Sequence, residues 1–267
     1  MTHSNPSLGG ESRKWLTHFS LRSMTAMHIS SNRAVQLTDE ERRTITPSIQ
    51  QFQLGENSRG VHLLERGQRY GRAVNDPLFA GALDIFIKEE QQHSRYLAAF
   101  MESQSIPTVQ KHWVDTAFRR LRGLAGLELS LTVLVTAEFI AVPYYRALRG
   151  GTGSPILKMI CTRILDDEAN HLKFQASMLA RVPGRRAEIV QSLLMQLHHA
   201  FLLGTILVVW FEHRALFESA GYTFRRFHEE TIAQFLAWSA VRTDMMKHSA
   251  LRREQIIKTY GRAEPEN

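Results

Sequence analysis

Cysteine is almost absent: Cys161 is the only one in 267 residues. That excludes an internal disulfide, a four-cysteine zinc site and a thiolate-held iron centre of the rubredoxin type. Acids are nearly missing from the first 36 residues, where Glu11 stands alone among Ser, Arg and His. This stretch has no long apolar core, so it does not read as a secretory signal. Two readings of it stay open: an organelle transit segment, or an arm that docks through Trp15, Leu16, Phe19 and Leu21. Alternating strand patterns are also missing, which removes sheet folds. No run of eighteen or more uncharged apolar residues occurs. Leu131 to Val142 is broken by Glu138, and Ala200 to Phe211 is too short to span a bilayer. The expectation is therefore no membrane span and a reducing, cytoplasmic compartment.

What is present has a period of 3.6. The chain is 43% hydrophobic and 22% charged, as a globular protein should be. It reads as all-α. Lys and Arg number 33 against 26 acids, a net charge of +7 with pI about 9.8. The Arg119-Arg120-Leu121-Arg122 run permits an anionic partner, nucleic acid included, but a solvated Arg-rich helix surface accounts for the charge without one. Cys161 falls on an apolar helix face and reads as a small core residue.

Two short runs organise the chain, Glu90-Gln91-Gln92-His93 and Glu168-Ala169-Asn170-His171. Residues three apart share a helix face, so in each run a carboxylate and an imidazole project together, as metal ligands must. Each run sits inside an apolar stripe. Phe79, Leu83, Phe86, Leu97 and Phe100 flank the first; Leu157, Ile164 and Met178 flank the second. Acids on such a stripe are rarely buried unless paired or metal-bound. Asp76-Pro77 and Ser154-Pro155 both read as an N-cap followed by proline at the first helical position. Each proline precedes its motif Glu by about thirteen residues, or about 20 Å of helix, so the two segments look like an internal repeat.

Two further helices each offer one acid at matching depth. The helix expected from Thr46-Pro47 to Tyr70 carries Glu56 and Glu65. With a connection of about four residues, Glu56 lies roughly 24 Å from the turn and Glu65 only about 10 Å, so Glu56 is the match. The helix expected from about Leu121 to Leu148 carries Glu138 as the single charge on its stripe of Leu127, Leu131, Leu134, Val135, Ala141, Val142 and Tyr145. Pro143 should kink that helix one turn beyond Glu138. Thr38-x-x-Glu41 reads as a capping box opening a short preceding helix. The expected organisation is an N-terminal arm and short helix (1–45), a metal-binding bundle (46–183), and two more helices, about Arg186 to Ser219 and Tyr222 to Lys258, ending in a disordered tail from Glu264 (184–267). His198, His199 and His213 in these last helices read as hydrogen-bonded or solvated residues rather than extra ligands.

Glu56, Glu90-x-x-His93, Glu138 and Glu168-x-x-His171 together resemble the ferritin-like di-iron carboxylate superfamily over about residues 46–181. The resemblance implies an antiparallel four-helix bundle holding two Fe ions, or Fe and Mn. It implies that Glu90 and Glu168 bridge the metals, with Glu56 and His93 completing one and Glu138 and His171 the other. In that family an acid at the position of Asp167 commonly orients a ligand histidine, and Glu89 holds the equivalent place in the first motif. The family's radical tyrosine is not matched, since Leu97 stands one turn beyond His93 and Tyr96 points elsewhere. The implied activity is O2 activation, of oxidase or monooxygenase type, on an apolar small substrate with electrons from a separate reductase. A ferroxidase or peroxide-scavenging role, and a metal-free helical interaction protein, are the alternatives. A homodimer through the C-terminal helices is also expected.

Overall fold

The computed structural model describes residues 6–27, 29, 35–124, 126–182 and 188–260. The expected break at Pro183-Gly184, a helix start at Arg186 and the tail from Glu264 lie outside these residues. Among the described residues the elements are all helices: α1 (Pro6–Ser23), α2 (Asp39–Glu56), α3 (Val61–Ala73), α4 (Phe79–Ser103), α5 (Trp113–Leu124), α6 (Leu127–Gly150), α7 (Pro155–Arg181), α8 (Glu188–Ser219) and α9 (Phe224–Tyr260).

The expected 46–70 helix is two helices. Its start is earlier, because the Thr38–Glu41 capping box forms and opens α2 at Asp39, leaving Pro47 in the interior. The box therefore does not start a separate short helix. Glu41 also accepts Gly153 N–H at 2.6 Å and the Thr152 hydroxyl at 3.1 Å, which ties the start of α2 to the α6–α7 turn. The break comes at Asn57–Gly60, where Gly60 takes φ +59 and a Cβ would lie 2.5 Å from the Ile87 side chain. No other residue fits there without displacing Ile87. Glu56 consequently ends a helix instead of lying mid-helix.

Two other boundaries differ. Ser154 caps α7 through Leu157 N–H as expected. Asp76 does not cap α4, which begins at Phe79. Its carboxylate is buried and accepts from the Ser12 hydroxyl at 2.6 Å and from Arg181 at 3.3 Å, so an inter-helix ion pair has taken the side chain from the local cap. The helix expected from Leu121 is split into α5 and α6. Arg119 of the basic run pairs with Asp115 and donates to the Leu54 and Asn57 carbonyls, closing the end of α2. α6 continues through Pro143 as one helix, whereas non-helical dihedrals do occur at His213 in α8.

One core cluster runs through the molecule. It takes in Trp15 and Phe19 of α1, Phe86 of α4, Phe139 and Tyr145 of α6, Phe174 of α7, Ile206 of α8 and Phe227 of α9. Two helices, Leu127–Gly150 and Ile189–Ser219, are long and apolar enough to cross a membrane by length and composition. Gln, Ser and His punctuate the second, which is why it shows no unbroken apolar run. The window in the first is 72% buried inside the fold and that in the second only 28%.

Candidate metal centre

α4 and α7 each turn their motif toward the other. Glu90, His93, Glu168 and His171 are all buried, and one ligand-type atom from each lies within 4.8 Å of the rest. His171 Nδ1 is 2.7 Å from Glu90 Oε1 and 3.4 Å from Glu168 Oε2; His93 Nδ1 is 3.7 Å from Glu168 Oε1. None of these nitrogen and oxygen atoms makes a hydrogen bond. Buried polar atoms are seldom left so. Five orphans gathered at one point, two nitrogens and three carboxylate oxygens, are a donor set that could hold a metal ion.

The opposite edge of each imidazole is fixed, and the fixing is reciprocal. His93 Nε2 is 3.2 Å from Asp167, the residue before Glu168; His171 Nε2 is 2.9 Å from Glu89, the residue before Glu90. Each motif supplies the acid that orients the other's histidine, leaving both Nδ1 atoms directed inward. Asp167 is gripped further by Arg22 of α1 at 2.5 Å and Arg163 at 2.9 Å. Burial would raise its carboxyl, but His93 and the two guanidiniums hold it well below the usual range.

The remaining two acids border the cluster. Glu56 is partly buried, accepts the Tyr145 hydroxyl at 2.7 Å and contacts Glu90. Glu138 is buried, accepts Gln175 Nε2 at 2.7 Å and contacts Glu168. Glu65 is exposed and lies beside His62. The electrostatics show what the crowding costs. Desolvation, then the Glu90 charge, pushes Glu56 up to about 8. Desolvation, then Glu138, raises Glu168 well above the ordinary range. Burial acts to lower His171, yet Glu90, Glu168 and Glu89 hold it well above its ordinary value. Protons here do a cation's work.

Several partners were not legible in the sequence. Arg22, Arg163, Gln175 and Tyr145 each hold an acid of the cluster, and Phe19 lies 5.9 Å from the His171 ring, roofing it with Phe86 and Phe174. Local signals exist for three. Arg163 is one turn before Asp167, Gln175 one turn after His171, and Tyr145 two turns after Glu138. Tyr96 is engaged elsewhere, accepting Met27 N–H. His198 bonds Thr136 at 2.9 Å and His213 bonds Ser48 at 2.8 Å, both away from the cluster, while exposed His199 stacks on Phe235. Cys161 is fully buried.

A cavity of about 150 Å³ between α2, α5, α6 and α8 ends on Glu56, Glu90 and Glu138, with walls that include Phe52, Phe118, Leu134, Ala141 and Val209. A second, of about 490 Å³, reaches Glu56 and Glu90 from the side of α3.

No protein-family model matches the chain, and no curated protein or solved structure is significantly similar to it. The class that fold and site define is thus set by geometry: an all-α protein with a buried group of two glutamates and two histidines that could hold metal ions.

Proposed function

We propose that this chain is a ferritin-like di-iron carboxylate oxidoreductase that activates O2 against a small apolar substrate. The observation that carries the reading is the set of inward, unbonded nitrogens and oxygens of Glu90, His93, Glu168 and His171, backed by reciprocal outer acids. Glu90 and Glu168 lie centrally, Glu56 adjoins Glu90 and Glu138 adjoins Glu168. Four carboxylates would balance two divalent ions, and two neutral imidazoles complete a mixed oxygen and nitrogen set suited to iron or manganese. Bound iron would supply the electrons and open coordination positions for oxygen chemistry.

The protein's own part is threefold. Tyr145 and Gln175 hold Glu56 and Glu138 in orientation through hydrogen bonds. Phe19, Phe86 and Phe174 exclude water from the His171 side. The small apolar cavity ending on Glu56, Glu90 and Glu138 admits the substrate. That cavity is what favours an organic substrate over a ferroxidase or peroxide-scavenging role using the same ligands. The single thiol leaves the chain without a cysteine-held electron carrier, so a separate reductase is the electron donor in this reading.

The test is anaerobic loading with Fe(II), followed by metal analysis and exposure to O2. About two irons per chain, and oxygen uptake that rises with small apolar additives, are expected. Loading that stays at background sinks the metal reading. Full loading with oxygen uptake indifferent to every additive favours the iron-handling alternative.

A further inference from the structure

α8 has two faces. One is packed into the fold through His198, Leu202, Ile206, Val209 and Trp210. The other carries Val190, Leu193, Leu197, Ala200, Gly204, Leu207 and Phe211. These are spaced three and four residues alternately over three heptads, and every one is exposed. The five large ones are 42–69% exposed. From Ile189 to Phe211 the helix has no Asp, Glu, Lys or Arg. Ile189, Leu194 and Leu203 are exposed beside it and widen the apolar face, but the unbroken three-four spacing down its middle is that of the seam of a helix pair.

Gly204 adds an independent sign. It lies mid-helix, where glycine costs about 1 kcal/mol relative to alanine. A Cβ there would meet nothing within 4 Å among the described residues. The fold therefore gives no reason for a residue so small, and a close approach from outside does.

We infer that the α8 stripe is the two-fold contact between two copies of this chain, with the helices antiparallel and crossing near Ala200. The stripe is self-complementary in that direction. Turned about a point between Ala200 and Phe201, it sets Val190 level with Phe211 and Leu197 level with Gly204, brings Leu193 within one residue of Leu207, and leaves the two Ala200 residues beside each other at the axis. A parallel pair would stack Phe211 on Phe211 and leave a void at Gly204 on Gly204. The absence of charge lets like surfaces meet without repulsion. Eight large apolar side chains between Ile189 and Phe211 are 37–78% exposed, a contiguous apolar patch of the kind that marks a protein–protein contact. A bilayer-spanning role fits less well. α8 is bonded along its other face to α2 and α6 through His213–Ser48 and His198–Thr136, and α9, packed beside it, bears Arg225, Arg226, Glu229 and Glu230. The inference does not draw on the metal reading.

Light scattering on the full-length protein should give twice the chain mass of 30.6 kDa. Gly204→Leu should weaken the dimer by tenfold or more while circular dichroism stays unchanged, because the chain itself has room for the side chain. Adding Leu197→Ala to that variant should restore the dimer, since the two positions face each other across the axis. A wild-type monomer overturns the proposal, and a wild-type monomer that floats with phosphatidylcholine–phosphatidylglycerol vesicles assigns the stripe to lipid. A Gly204→Leu dimer as tight as wild type, or failure of Leu197→Ala to rescue a weakened one, overturns the antiparallel register.

Discussion

The Glu89–His93 and Asp167–His171 segments carry the same donors at the same spacing, yet their surroundings differ. Asp167 orients His93 and is clamped by Arg22 and Arg163, so the outer acid has lost its freedom to protonate. Glu89 orients His171 with no arginine among its hydrogen-bond partners in the described residues. The flanking acids repeat the contrast. Glu138 is mid-helix, buried, held by Gln175 and touches only the smaller cavity, whereas Glu56 terminates α2 beside the Asn57–Gly60 break and both cavities. One motif supplies a rigid frame while the other acid set borders open space. A repeat in sequence has thus become a site with a fixed side and an accessible side.

The comparison breaks most severely at the ligands. Glu138→Ala should remove most of the bound metal, because it deletes a buried donor and leaves metal charge uncompensated; Glu65→Ala, at an exposed position, should leave it unchanged. Metal analysis after identical loading checks this, and equal content in the two variants would sink the assignment.

Next in size is the outer pair. Asp167→Asn should weaken metal binding by about 10–100-fold and also lower thermal stability, since Arg22 and Arg163 lose their buried partner. Glu89→Gln should weaken metal binding with little change in melting temperature. Competitive chelator titration and calorimetry on both variants sharpen the contrast; equal melting temperatures would show that the arginine clamp contributes nothing.

The smallest effect is a pH slope in the metal-free protein. Glu56 is raised to about 8, and Glu168 and His171 are raised as well, so all three bind protons more tightly folded than unfolded. Their contribution is complete below their unfolded values and lost as pH rises through the folded ones. His213 is lowered to about 3 by burial, and its contribution is lost only as pH falls below 6.5. Between pH 6.5 and 9 the metal-free melting temperature should therefore drop by several degrees, on the order of 5 °C. The metal-loaded protein should hold steady or rise, because metal replaces the protons. A flat metal-free profile would mean that the cluster's charges are relieved in another way.

The two motifs were readable in the sequence because an i, i+3 pair on an apolar stripe is a local property. Depth along an assumed continuous helix favoured Glu56 over Glu65; that helix is two helices, with Glu56 ending the first beside Glu90 and Glu65 exposed on the second. What could not be read depends on distant partners. Gly60 breaks a helix because Ile87, on another helix, crowds it. Asp76 deserts a sound N-cap because Arg181 offers a buried charge. Arg119 looked like part of an anion-binding run and instead closes the end of α2. The roof was hidden for the same reason: Trp15, Phe19 and Arg22 lie one turn apart on α1, but Arg22 meets Asp167 across 145 residues of chain.

That separation has a consequence in time. α1 leaves the ribosome before α4 and α7, whose surfaces it covers. Its eighteen residues draw most of their helical stability from packing that does not yet exist in that interval. The N-terminus must wait, and the histidines are roofed only when most of the chain has been synthesised. If the cluster holds metal as proposed, it passes through an open stage during biosynthesis, before α1 covers His171, and a closed one afterwards.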